Sequence, residues 1–265
     1  MDKVSAIIPA WGETPFLERA VSSVRRQTLG DVECIVVAPP EDGPRTAAAA
    51  RRSGVERAKG DWISFCDADD WMEPDALSKM LAEAEREGAD CVCCGMVREF
   101  ADGRSIRKPY EKDGPGDTCN ALVNKIFRRE LLEGLTLDDS IVFGEDLMVT
   151  AQALAKAKKI AVTDDAFYHY CENPASVTHR LDGRKRVLDL VRVGEILRSA
   201  LPGPEYSRFH DSVARDALLL WIRYRLFDRR LWRLVRSRMA GPLLGDSRHG
   251  FLKKGALACA ACIFD

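Results

Sequence analysis

An α/β fold with a mainly parallel sheet flanked by helices, followed by a helical extension, is what this 265-residue sequence predicts. Three observations carry the prediction. Short, nearly continuous apolar runs suit strands covered on both faces. These runs alternate with amphipathic segments of about ten residues or more, the mark of a layered sheet with crossover helices. From Leu181 onward the pattern turns to helices only.

Val4-Ser5-Ala6-Ile7-Ile8-Pro9 reads as the first strand, and Ala10 to Thr14 as a loop. Thr14 suits a helix cap and Pro15 the first helical position. Phe16, Leu17, Ala20, Val21 and Val24 then recur at helical spacing. Residues 32–38 form the second strand and the proline-rich 39–44 a loop. Residues 46–59 predict an alanine-rich helix with Gly60 as its stop. Residues 61–66 form the third strand, which delivers Asp67-Ala68-Asp69-Asp70 at its end. Residues 74–88 predict a helix and 90–97 a strand. Asp102-Gly103 reads as a hairpin turn between 97–100 and 105–108. Residues 124–132 predict a short helix, and Gly144-Glu145-Asp146 precedes another over 147–157. Residues 160–162 read as a last strand and 166–170 as an edge segment.

Hydrophobic residues make up 46% and charged residues 31%, which excludes a disordered or fibrous chain. A net charge of -1 leaves no global positive field for nucleic acid. The charge is nonetheless uneven: between residues 205 and 254 basic side chains exceed acidic ones by seven. Trp221, Tyr224, Phe227 and Trp232 interleave with these arginines. One reading lays residues 213–238 on an anionic membrane surface; the other packs Trp221 into a helical lid with the arginines in water. The apolar run after Lys3 ends at Pro9 without a processing site, and no apolar stretch is long enough to span a bilayer. The nine cysteines are odd in number and several lie in strands, as expected of reduced core thiols. The location expected is therefore cytoplasmic, with peripheral contact to the inner face of the membrane as an option.

Two acidic clusters carry the chemistry. Asp67, Asp69 and Asp70 fall at the C-terminal edge of a strand, where α/β sheets bind ligands. Two carboxylates there suit Mg²⁺ or Mn²⁺ against a diphosphate; the alternative is a surface helix cap. Glu145-Asp146 opens a helix, so capping competes with proton transfer. The helix N-terminus is expected to lower the pKa of this pair. Arg51 and Arg52 follow the proline-rich loop, where an arginine suits phosphate and the other suits solvent. His179, between Thr178 and Arg180, is a candidate metal or phosphate contact.

In order along the chain, several segments resemble family-2 glycosyltransferases of the GT-A fold. They are Val4 to Pro9; Phe16 to Val24 with Gln27-Thr28; Ala48-Ala49-Ala50-Arg51-Arg52-Ser53-Gly54; and Ala58 to Trp71 with its Asp67-Ala68-Asp69-Asp70. Asn124-Lys125-Ile126-Phe127, Gly144-Glu145-Asp146, Tyr168, Tyr170 and Asn173 to His179 complete the set. The resemblance covers about residues 3–180. It implies a transferase domain over 1–180 and a basic helical extension over 181–265.

The resemblance further implies an inverting transfer of a sugar from a nucleotide diphosphate donor to a hydroxyl acceptor, in cell-surface polysaccharide or glycolipid synthesis. Carried over by position, Asp67 lies near the ribose or sugar, Asp69 binds Mn²⁺ or Mg²⁺ with Asp67 and His179, and Asp146 is the general base beside Glu145. Arg52 takes the family's arginine position and Ser53 replaces an asparagine. Glu41 and Asp42 are the only acidic residues where the family has an aspartate-rich nucleobase turn, because Ala38-Pro39-Pro40 stands there and the helix and strand that usually follow are missing. A shortened nucleotide half also suits a non-catalytic scaffold of a polysaccharide assembly system, and both readings stand on sequence.

Overall fold

The computed structural model describes residues 3–12, 15–110, 120–174, 176 and 180–206, together with 209, 213, 216 and 220. Thr14, His179, Trp221 and nearly all of the basic 213–238 segment lie outside the described residues. Two units can be distinguished: residues 1–140 with 145–176, and residues 141–144 with the chain from 177 onward.

The first unit is built on a sheet in the order β2-β1-β3-β7-β5-β8-β4, with β6 paired to β5. Strand β1 (Val4–Pro9) is buried along its whole length and pairs in parallel with β2 (Val32–Val37) and β3 (Trp62–Phe65). Its nearly continuous apolar run, broken only by the buried Ser5, is the physical consequence of covering on both faces. Strand β7 (Lys125–Arg128) enters antiparallel to β3 and to β5 (Cys91–Glu99). Strand β8 (Ile160–Cys171) runs parallel to β5, with register shifts around Gly95, and pairs antiparallel with the two-residue β4 (Trp71–Met72). Strand β6 (Ser105–Lys108) forms the hairpin with β5 that Asp102-Gly103 predicts.

Helix α1 (Leu17–Arg25) follows β1, and α2 (Ala47–Arg57) packs on β1 and β2. Thr46 caps α2 by accepting from the Ala49 N–H at 3.2 Å. Helix α3 (Ala76–Glu87) packs on β5 and β8, buries Leu77, Met80, Leu81 and Ala84, and ends at Gly88 in the left-handed region. Helix α4 (Glu145–Lys156) packs on a 3₁₀ turn over Arg129–Leu132.

Three local expectations are corrected. Residues 124–132 are strand β7 and a 3₁₀ turn, not a helix: Ile126 and Phe127 are wholly buried between β3 and β5, and the ladder on both sides overrides local helical spacing. Gly60 does not stop α2, which ends at Ala58 in extended conformation. Gly60 is instead where the chain grazes β1, since an added Cβ would lie 2.7 Å from the Ser5 nitrogen. The expected last strand and edge segment are one bulged twelve-residue strand, β8, flanked by β5 and β4.

In the second unit, helix α5 (Gly183–Ala200) buries Val187, Leu190, Val191, Val193 and Leu197. Asp189, 4% exposed, accepts from the Val142 and Phe143 N–H groups at 3.1 and 3.2 Å and is paired with Lys185. Gly144, at φ 87°, packs against Leu190 of the same unit.

Candidate active site

The end of β3 turns sharply, and the acidic turn 67–70 hangs on β8. The Asp67 N–H donates to the Tyr168 hydroxyl oxygen at 3.0 Å, and that hydroxyl donates to Asp70 Oδ2 at 2.6 Å. The Cys171 N–H donates to Asp70 Oδ1 at 2.8 Å. Asn173 Nδ2 donates to Asp69 Oδ2 at 2.9 Å, and the Arg19 guanidinium donates to the Asp69 carbonyl. Strand β8 runs directly past the turn, so the Tyr168 side chain and the Cys171 main chain both reach Asp70.

Asp70 is 1% exposed, so it is an internal anchor and not a surface cap. Burial, with the charges of Asp67 and Asp69, pushes its pKa well above the ordinary carboxylate value. Asp67 and Asp69 remain partly exposed at the rim. Burial and the Asp67 charge also raise Asp69, against the pull of Asn173 and Arg19.

The second acidic cluster meets the first through Arg51. Its guanidinium donates to Asp67 Oδ1 at 2.7 Å, to Asp146 Oδ1 at 2.7 Å and to Glu145 Oε1 at 3.2 Å. The Arg51 side chain is 7% exposed; those of Asp67 and Asp146 are 28% exposed and that of Glu145 15%. Helix α2 supplies the cation, the turn after β3 one carboxylate and the first turn of α4 the other two.

The lowered pKa expected of Glu145 and Asp146 is overturned. Burial, then the Asp146 charge, pushes Glu145 up to about 8 against the pull of Arg51. Asp146 is also raised, by burial first and by Asp67, while Arg51 draws it down. A helix N-terminus contributes a partial charge; desolvation beside a second and third carboxylate outweighs it.

Arg51, and not Arg52, therefore joins the carboxylates. Arg52 is 48% exposed and pairs with Asp139. Glu41 and Asp42 sit exposed in the turn between β2 and α2. Sequence reasoning gave no role to Lys125, which is 1% exposed and donates to Asn124 Oδ1 at 2.8 Å. Its charge helps hold Asp146 down, and the Leu122 N–H does the same by hydrogen bonding. Lys125 is the first residue of β7, whose charged ends leave no pattern that marks it in the sequence. Beside Arg51 and Glu145, a cavity of about 380 Å³ opens between α2 and α4, lined by Val55, Phe65, Leu122, Leu135 and Met148 among others.

Among the described residues, no three His, Cys, Asp or Glu side chains form a cluster able to hold a metal by themselves. Asp67 and Asp69 fit a divalent cation only in part. They offer hard oxygen donors and excess negative charge, and diphosphate oxygens and water would have to complete the shell.

Comparisons with known proteins bear on the family and the fold. A family model described as Glycosyl transferase family 2 matches residues 41–163. The uncharacterized glycosyltransferase EpsJ of Bacillus subtilis is 29% identical over 215 residues, covering 66% of this chain and 62% of that protein. The succinoglycan biosynthesis protein ExoO of Rhizobium meliloti is 29% identical over 222 residues, covering 68% of this chain and 64% of that protein. The chain thus spans somewhat over three-fifths of the length of these curated relatives. The structure of residues 1–349 of S. aureus TarS in complex with UDP superposes with a TM-score of 0.61 at 16% identity, covering 97% of this chain and 90% of that one. The mannosyltransferase PcManGT of Pyrobaculum calidifontis, in complex with GDP-Man and Mn²⁺, superposes with a TM-score of 0.54 at 15% identity, covering 98% and 86%. These two likenesses establish the fold.

Proposed function

We propose, from the premise that this is a family-2 glycosyltransferase of the GT-A fold, that the chain transfers a sugar from a nucleotide diphosphate donor to a hydroxyl of a glycan or lipid-linked acceptor, with inversion. Residues 1–180 are the transferase domain in this reading. The observation that carries it is the guanidinium of Arg51, which joins Asp67 of the donor turn to Glu145 and Asp146 at the head of α4. A partly buried cluster of three carboxylates around one cation suits acid–base chemistry and favours the enzyme over the scaffold reading.

Asp146 takes the proton of the acceptor hydroxyl. Its raised pKa suits that role, because a base is most effective when its pKa approaches the working pH. Glu145, pushed to about 8, holds a proton at neutral pH and spares the cluster a third negative charge. Arg51 fixes Asp146 against the donor turn. Asp69, with Asp67, faces the diphosphate; a Mn²⁺ or Mg²⁺ ion held there would supply neutralisation of the leaving charge. PcManGT, with its GDP-Man and Mn²⁺, and TarS, with UDP, support this chemistry by likeness of fold. ExoO supports polysaccharide synthesis as the setting. Glu41 and Asp42 are the nearest acidic substitutes for a nucleobase contact, and His179 remains a candidate cation contact.

The test is a panel of UDP- and GDP-sugars, titrated by calorimetry with and without Mn²⁺ and assayed for transfer. Asp146→Asn should lower turnover by roughly 10²–10⁴-fold with donor affinity nearly unchanged. Asp69→Asn should weaken donor binding only when Mn²⁺ is present. Wild-type protein that binds no nucleotide under any condition would favour the scaffold reading.

A further inference from the structure

Strand β4 contains only Trp71 and Met72, and it begins at the residue after Asp70. Its ladder to β8 consists of Trp71 opposite His169 and Met72 opposite Tyr168. Two residue pairs, continued by the Glu73 N–H donating to the Phe167 carbonyl at 2.9 Å, are a short backbone tether for a strand at the margin of a sheet. The acidic turn immediately before it nonetheless has to keep its carboxylates in place.

Side chains supply the missing constraint. The rings of Trp71 and His169 stack with centroids 3.5 Å apart and planes inclined by 17°. The imidazole lies between two carboxylates: Nδ1 is 2.8 Å from Glu99 Oε1, and Nε2 is 3.0 Å from Glu73 Oε1. Glu99 Oε2 accepts from Trp71 Nε1 at 3.4 Å and from the Cys171 thiol at 3.2 Å. The ring of contacts closes through β4, the residue that follows it, β5 and β8. His169 is 8% exposed, so these bonds are shielded from competing water. None of these groups takes part in the transfer chemistry set out above.

We propose that His169 is a positioning residue for the donor side of the site: clamped by Glu73 and Glu99 and stacked on Trp71, it latches β4 to β8 and so fixes the turn 67–70. The latch acts on the turn from both neighbours. Trp71 is covalently next to Asp70, and Tyr168 and Cys171, on the same strand as His169, hold Asp70 and the Asp67 amide. If β4 slips along β8, those bonds lose their register and Asp69 moves with them. Arg51, Glu145 and Asp146 stand on other elements and meet the turn through the Arg51–Asp67 pair at 2.7 Å, so the acceptor side feels the latch less directly than Asp69 and Asp70 do.

This inference rests on the glycosyltransferase reading for its kinetic test and on nothing but the fold for its second test. His169→Phe keeps a ring on Trp71 and removes both hydrogen bonds. It should raise the donor KM about ten-fold, with kcat at saturating donor and the acceptor KM within about two-fold of wild type. His169→Gln keeps one donor and should recover part of the loss. A merely structural role would lower kcat through a smaller active fraction and leave both KM values alone. Amide hydrogen exchange on the full chain reads the latch without any substrate. In His169→Phe the amides of Asp70, Trp71, Met72 and Cys171 should exchange about ten-fold faster, while those of α4 keep wild-type protection. Unchanged exchange at 70–72, or an equal rise throughout the first unit, overturns the proposal. Absence of nucleotide binding and transfer in the wild type overturns the transferase reading instead, and exchange alone then decides the latch.

Discussion

At the scale of the residue, one guanidinium faces three carboxylates, and the charge does not balance. Arg51 bonds Asp67, Glu145 and Asp146, and the buried Lys125 adds a second cation nearby. The excess is relieved by proton uptake at Glu145, whose pKa rises from 4.5 to about 8. A carboxyl raised on folding stabilises the folded state fully below its unfolded pKa, and that contribution is lost as pH climbs through the folded value. The substrate-free protein should therefore lose stability between about pH 4.5 and pH 8. Every tenfold gain in proton affinity on folding is worth about 1.4 kcal/mol, shared among the carboxylates of the cluster. Melting curves of wild type and Glu145→Gln across this range check the point: the wild-type Tm should fall with rising pH and the variant should be flatter. Parallel curves would show that Glu145 titrates normally. The sequence made both acidic clusters legible but not their union. The family resemblance pointed to Arg52, but adjacent helix residues point about 100° apart, and it is Arg51 that meets the carboxylates while Arg52 meets Asp139.

At the scale of the element, α2 must lie almost on top of β1 for Arg51 to reach the end of β3. Gly54 makes that approach possible. A Cβ there would stand 2.4 Å from Ile7 Cγ2 and 3.2 Å from Val37 Cγ1, both buried side chains of the sheet. Gly54→Ala gains helix propensity on paper, yet it should destabilise the protein by about 1–3 kcal/mol through overpacking. Chemical denaturation measures this, and a stabilised variant would mean that α2 can move away from the sheet at no cost. Strands whose apolar runs are nearly continuous, such as β1 and β3, were readable directly. Strand β7 was not. Lys125-Ile126-Phe127-Arg128 has charged ends around two apolar residues, a pattern that four residues cannot assign, and its ladders to β3 and β5 decide the matter at long range. Strand β4 is too short to leave any period in the sequence, although it borders the site.

At the scale of the whole molecule, the open question is where the protein works. No helix among the described residues is long and apolar enough to cross a membrane. The sequence offers one segment for peripheral contact. Residues 213–238 belong to the region with seven more basic than acidic side chains, and Trp221, Tyr224, Phe227 and Trp232 are spaced among the arginines. Each basic side chain close to an anionic surface contributes about 1 kcal/mol, so three or four in contact give measurable binding. The aromatic residues add apolar insertion, which salt does not screen. The expected outcome is sedimentation with anionic vesicles at low salt, a reduced but surviving fraction at high salt, and little with neutral vesicles. Replacing Arg223, Arg225, Arg229 and Arg230, half of the eight arginines of this segment, by glutamine should weaken the salt-sensitive part, while Trp221→Ala and Trp232→Ala should reduce the salt-resistant part. If the arginines merely project into water from a helical lid, the wild type stays in the supernatant with anionic vesicles even at low salt, and the membrane assignment fails.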